Sequence, residues 1–206
     1  MFKKTDANKL LFLDIDGVLN YSSYFKADEF KENKKLYDLK KLDLLKEIVD
    51  KTNCTIVMSS SWRTFYVKRK NIDKIYNLKN DLKNRGIIIK YKIGNEYNNE
   101  LLKLYSGGFS WMEDDKGFYS TEYNKIEKQP ITEFYERGLQ IKIFKENWEH
   151  KYGKINFAIL DDDDGDLHLF GENFVRTNWY GENEEDSGLT KEAVNKCVNL
   201  LNKKFY

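Results

Sequence analysis

Short, wholly apolar runs alternating with stretches of helical spacing constrain this chain more than any other feature. Leu10-Leu11-Phe12-Leu13-Asp14 and Cys54-Thr55-Ile56-Val57-Met58-Ser59 lack the polar alternation of a half-exposed strand, so each reads as a strand buried on both faces. Gly86 to Ile93, Ile155 to Leu160 and Phe174 to Thr177 supply three more strands. Helical spacing fills the intervals: Leu39 to Val49 through Leu42, Leu45 and Ile48, then about Phe65 to Lys83, then Ile131 to His150. A closing helix starts at Thr190, a good N-cap, and buries Ala193, Val194, Cys197, Val198 and Leu201. This order predicts an α/β fold: one domain over residues 1–206, with a five-stranded, mainly parallel sheet and helices on both faces. Residues 95–130 break the rhythm with Gly107-Gly108 and scattered aromatics, and read as a small cap insertion. Tyr21–Tyr37 reads as a further flap.

Composition agrees with a packed domain. The 206 residues are 40% hydrophobic and 15% aromatic, enough for a sizeable core and too apolar for a disordered chain. Lys and Arg number 35 against 34 acids, so no overall field selects a nucleic acid or a membrane, and charge must be read by segment. No apolar run approaches the roughly 18 residues of a membrane span, and the start carries no signal peptide. Cys54 and Cys197 sit in apolar contexts without metal-ligand spacing, as reduced core thiols of a cytoplasmic protein would.

A parallel sheet presents its ligand sites beyond the carboxyl ends of its strands. The first strand ends in Asp14-Ile15-Asp16-Gly17, and the fourth in Asp161-Asp162-Asp163-Asp164-Gly165-Asp166. Carboxylates at the mouth of a buried strand are costly unless compensated, and a hard divalent cation with oxygen ligands is the natural compensation. Both clusters leave the sheet at the same edge, which strengthens the case for one metal site. An EF-hand fails, because with Gly165 at the sixth position the first and twelfth ligands would be Leu160 and Gly171. The second strand ends in Ser59-Ser60-Ser61-Trp62-Arg63, where hydroxyls and backbone N–H groups at a strand-to-helix junction can hold phosphate oxygens.

These motifs together resemble the haloacid dehalogenase (HAD) superfamily, with Asp14-x-Asp16-Gly17-Val18-Leu19-Asn20 as its first signature, Ser59 as its second and Asp161-Asp162 with Asp166 as its fourth. Ser59-Ser60-Ser61-Trp62-Arg63, Arg137-Gly138, Ile159-Leu160-Asp161-Asp162-Asp163 and Gly188-Leu189-Thr190 are similar, more narrowly, to the HAD domain of Swiss Army Knife RNA-repair proteins. The resemblance spans about residues 9–201. It implies a Rossmann-like HAD fold and an aspartate-nucleophile phosphatase. Asp14 would attack phosphorus, and Asp16 would protonate the leaving oxygen and then activate water. Magnesium (Mg2+) would be held by Asp14, the Asp16 main-chain carbonyl and Asp162, with Asp161 or Asp166 supporting through water. Ser59 would bind phosphate, as would Ser60 and Arg63 beside it. The cation that steadies the intermediate is Arg137 or Lys142, with Arg137 favoured for its bidentate reach.

Residues 62–92 hold ten Lys or Arg against two Asp, interleaved with Trp62, Phe65, Tyr66, Tyr76 and Tyr91. Such a face suits a polynucleotide, and in a lysine-rich chain it also suits plain solvent. The expected substrate is a phosphorylated nucleic-acid end, 3′ favoured, in RNA or DNA repair, with other repair enzymes as associates. A nucleotide or another small phosphoester is the alternative, and a catalytically silent nucleic-acid-binding module is the alternative of another class. No P-loop and no G-x-S-x-G occurs.

Overall fold

The computed structural model describes residues 6–64, 72–93, 111–114, 117–120 and 137–204. Strands β1 (Asp6–Leu13), β2 (Cys54–Met58), β3 (Ile89–Lys92), β6 (Asn156–Asp161) and β7 (Phe174–Arg176) form one sheet in the order β3-β2-β1-β6-β7. Every pairing in it is parallel. The five expected strands are therefore all present, and "mainly parallel" becomes wholly parallel.

Side-chain alternation along β1 divides the core in two. Leu11 and Leu13 face α2 (Leu39–Thr52), α3 (Ile72–Asn84) and α5 (Lys191–Leu201), packing with Leu42, Leu45, Leu78 and Val194. Leu10 and Phe12 face α4 (Arg137–Tyr152), packing with Ile141, Phe144 and Ile159. Helices thus cover both faces, as continuous apolar strands require. On the α4 side the filling is aromatic: Phe12 meets Phe144 edge-on at 5.7 Å, and Phe144 stacks on Trp148 at 5.6 Å. Trp148 Nε1 donates to the Ala7 carbonyl at 2.7 Å, which ties α4 to the start of β1. Cys54 and Cys197 are free, buried thiols whose burial pushes both pKa values up.

One expectation changes, and another lies largely outside the described residues. The Tyr21–Tyr37 segment is packed rather than flap-like: α1 (Asp28–Asn33) and a preceding 3-10 turn lie in an aromatic cluster of Tyr24, Phe25, Phe30 and Trp179, with Tyr21, Tyr24 and Tyr37 buried. Of the expected cap insertion at 95–130, only an antiparallel hairpin is described, β4 (Trp111–Asp114) with β5 (Gly117–Ser120). The remainder, like residues 65–71 and 131–136 of the expected helices, lies outside the described residues.

Thr190 caps α5 as read, its hydroxyl accepting from the Ala193 N–H at 3.2 Å. Asp38 does the same for α2, with more depending on it. Its carboxylate accepts from the Lys40 N–H and from the Tyr21 hydroxyl, and its own N–H donates to the Leu19 carbonyl. Burial and the Asp38 charge together push the Tyr21 phenol far above its ordinary pKa. Asp38→Ala should destabilise the protein by about 2–4 kcal/mol, because the cap and the partner of a buried hydroxyl go together. Urea unfolding checks this, and Asp38→Asn should recover part of the loss.

Candidate active site

Register delivers three strand ends to one edge. Leu13 lies opposite Met58 on one side and Leu160 on the other, so Asp14, Ser59 and Asp161 follow in line. The backbone continues the pairing past the strands: Asp14 N–H to the Leu160 carbonyl, Ser59 N–H to the Leu13 carbonyl, and Thr177 N–H to the Asp161 carbonyl, each at 2.9 Å. The placement of these side chains is a consequence of sheet geometry.

Asp14, Asp161 and Asp162 each offer a carboxylate oxygen, and the three oxygens lie within 4.8 Å of one another. Asp14 is 4% exposed and Asp161 is fully buried. Arg137, the first residue of α4, donates from one terminal nitrogen to Asp14 Oδ2 at 2.9 Å and to Asp161 Oδ2. Burial works against the guanidinium charge, but Asp14 and Asp161 outweigh it and hold Arg137 firmly protonated. The remaining Asp14 oxygen accepts from the Ile15 N–H at 2.8 Å, and Asp161 Oδ1 from the Asp163 N–H at 3.2 Å. Once ionised, three carboxylates against one guanidinium leave two negative charges, which a divalent cation would cancel. The donor set is all oxygen, the preference of a hard cation such as magnesium. The residues present therefore fit a divalent metal.

Burial, and next the Asp14 charge, raise the carboxyl pKa of Asp161 well above the usual range against the opposing pull of Arg137. Asp162 is raised by the same two causes.

Asp16 is held apart from that cluster. Its Oδ1 accepts from Asn20 Nδ2 and its Oδ2 from Trp62 Nε1, both at 2.9 Å. Both partners are pure donors here, so they orient the carboxylate while leaving it lone pairs for a proton. Ser60 Oγ accepts from the Trp62 N–H at 3.2 Å, which fixes the turn carrying the indole. Gly17 closes the arrangement: its φ is +71°, and a Cβ there would lie 2.1 Å from Asp162 Cγ.

The other expected residues fall as follows. Ser59 and Ser60 are fully buried at the end of β2. Arg63 belongs to the 3-10 turn Ser61–Thr64, and its side chain lies outside the described residues. Lys142 pairs with Glu146 along α4 at 3.6 Å, whereas Arg137 meets the aspartates. Asp166 lies outside the three clustered carboxylates, and its oxygens accept the Gly138 and Leu139 N–H groups at 2.7 and 3.1 Å. It anchors the free N–H groups that open α4, a position that favours a carboxylate. Of the interleaved aromatics, Trp62 serves Asp16 and Tyr91 packs edge-on to Trp148 at 4.8 Å, so neither is an open stacking face. Trp62 and Asn20 as holders of Asp16 escaped the sequence reading. An indole N–H must find an acceptor when buried, and that was the available signal.

A wholly parallel α/β sheet with an acid and arginine cluster at its carboxyl edge defines a class of enzyme-like domains. The family model described as "HAD domain in Swiss Army Knife RNA repair proteins" matches residues 10–194, and the chain belongs to that family. No curated protein and no solved structure matches it. Among the described residues no helix is long and apolar enough to cross a membrane.

Two outcomes follow. Gly17→Ala should cost about 1–2 kcal/mol for its left-handed backbone and should also displace Asp162, so calorimetric titration should show weakened divalent-cation binding. The second concerns pH. A carboxyl whose pKa is raised on folding favours the native state fully below its unfolded value, near 4, and loses that contribution as pH rises through the folded value. The metal-free protein should therefore lose stability from about pH 4 upward. Magnesium replaces the proton, so the rise in Tm it produces should grow between pH 5 and pH 8, and Asp161→Asn should flatten that growth.

Proposed function

We propose that the protein is a magnesium-dependent phosphomonoesterase that removes a terminal phosphate from a nucleic-acid end, the 3′-phosphate favoured. The observation that carries this reading is the meeting of Asp14, Asp161, Asp162 and Arg137 at one sheet edge, with Asp16 held separately by Trp62 and Asn20. The repair context of the family and the basic stretch at 62–92 support a nucleic-acid substrate.

In this reading an Asp14 oxygen attacks phosphorus while the bond from phosphorus to the ester oxygen breaks, leaving an aspartyl phosphate. Asp16 gives its proton to the departing oxygen, then takes one from the water that attacks phosphorus, releasing inorganic phosphate and restoring Asp14. Arg137 stays charged throughout and faces the charge that develops on the phosphoryl oxygens. Ser59 and Ser60 line the same edge as hydroxyl donors, with Lys142 a second cation on the Arg137 helix. A divalent cation among Asp14, Asp161 and Asp162, with the Asp16 carbonyl, supplies the positive charge that lets a dianionic phosphate approach a carboxylate.

The test is release of phosphate from single-stranded RNA and DNA bearing 3′- or 5′-phosphate, beside mononucleotides and an aryl phosphate. Preference for one phosphorylated end supports the reading. Release from the small esters alone would reassign the protein as a nucleotide or small-molecule phosphatase. Silence on all of them would favour a binding module. Asp14→Asn should abolish turnover, Asp16→Asn should lower kcat by about 10²–10⁴-fold, and Arg137→Ala by about 10²–10³-fold.

A further inference from the structure

Beside the aspartate cluster lies an open cavity of about 730 Å³, formed where the loop following β7 folds back toward α5. Its volume falls in the range of roughly 300–1,000 Å³ common to small-molecule sites. Asp162 belongs both to this cavity and to the carboxylate triad, so a molecule whose phosphate sits at Asp14 extends into it.

The walls state what that extension is. Three carboxylates, Asp162, Asp163 and Asp186, face a single guanidinium, Arg176. Arg176 is already engaged, by Asp164 at 2.6 Å and by the Asp162 carbonyl at 3.2 Å. A wall with this balance accepts hydroxyl and amino donors. Tyr180 forms another wall and is 80% exposed, the most exposed large hydrophobic side chain among the described residues. It is nevertheless held in place. Its N–H donates to Asn178 Oδ1 at 3.0 Å, and its ring meets Trp179 edge-on at 6.4 Å. Trp179 is itself fixed, by Phe25 at 6.0 Å and by the bond from the Ser22 N–H to its carbonyl. At 80% exposed, the Tyr180 ring keeps most of its surface available. Thr177, 7% exposed, also borders the cavity, and its buried hydroxyl has no hydrogen-bond partner among the described residues.

We infer that this cavity is a nucleoside subsite: the base next to the reacting phosphate stacks on Tyr180, and donors of that nucleoside, the amino groups of the base and the 2′-hydroxyl of an RNA end, meet the Asp163 and Asp186 carboxylates. The inference rests on the proposed phosphatase reading and specifies its substrate as one with a base next to the phosphate. Stacking on an ordered aromatic tolerates any base, which suits processing of ends regardless of sequence.

The experiment compares kcat/KM on a 3′-phosphorylated oligonucleotide with that on the same oligonucleotide whose terminal nucleotide is abasic. In Tyr180→Ala the ratio of the two should fall roughly five- to hundredfold, mostly through KM. Tyr180→Phe should restore it, since the stacking face returns. Tyr152→Ala, an exposed aromatic at the far end of α4 from Arg137, serves as the control and should leave the ratio unchanged. An unchanged ratio in Tyr180→Ala, with phosphate still released, overturns the subsite and leaves the phosphatase reading standing. Should wild type release no phosphate from any end, the phosphatase reading fails, and saturation-transfer NMR with adenosine decides the subsite alone. Transfer to the base protons that disappears in Tyr180→Ala upholds it, and absence of transfer to wild type overturns it.

Discussion

The pairing of Arg137 with Asp14 and Asp161 is the interaction on which this molecule depends. Parallel register puts the two aspartates on neighbouring strands at the same level, and burial removes the water that would screen them. Like charges at about 4 Å repel by about 4 kcal/mol at the effective dielectric typical of protein sites. A sheet cannot relieve this by sliding, because a one-residue shift would turn each side chain of β1 and β6 into the opposite half of the core, against packing shaped for another residue. Compensation must come from outside the sheet. Arg137 supplies one positive charge; the residual charge of the triad is the affinity for a divalent ion.

That arginine is only as well placed as its helix. Asp166, at the end of the acidic loop after β6, accepts the first free N–H groups of α4, while Trp148 fastens the other half of the helix to the start of β1. Gly138 must lack a side chain because a Cβ there would lie 2.6 Å from Asp166 Cγ. The Arg-Gly pair thus has two different duties. The arginine reaches the aspartates, and the glycine lets the helix end come close enough for the reach to work. The acidic run divides its labour too: Asp161 and Asp162 serve the cluster, Asp164 pairs with Arg176, and Asp166 anchors α4.

Strands were legible from sequence because a strand buried on both faces must be apolar at every position, and few alternatives produce such short, bounded runs. Asp14, Asp161 and Asp162 were legible for a related reason, since a charge directly after such a run has a place in space fixed by the strand before it. Partners brought by helices and loops were harder. Arg137 and Lys142 are five residues apart, about 140° around a helix, and which of them faces the sheet depends on where the helix begins. Asp166 read as one more acid of the cluster because nothing local shows that the loop turns back to α4. Asp16 finds the Trp62 indole 46 residues away, across the boundary between β1 and β2, and no periodicity encodes that contact.

The loop that carries Tyr180 also braces the turn that carries Asp14 and Asp16, which in the proposed reading joins recognition to chemistry. Leu189 N–H donates to the Val18 carbonyl at 2.8 Å, and Gly188, at φ +60°, passes so close that a Cβ would lie 2.9 Å from that same carbonyl. Lys41, buried beneath, donates to the Glu184 carbonyl at 2.8 Å and lies 4.9 Å from the centre of the Tyr21 ring; burial lowers its pKa. Lys40 holds the Glu184 carboxylate at 2.8 Å from the exposed side. The loop is therefore pinned at its middle and its end, while Trp179 pins its beginning against Phe25. A segment restrained at three points does not close over a ligand as a lid does; it presents an ordered surface. Because its last restraint is the turn that holds Asp14, Asp16 and Gly17, displacement of the loop would be felt at Asp16.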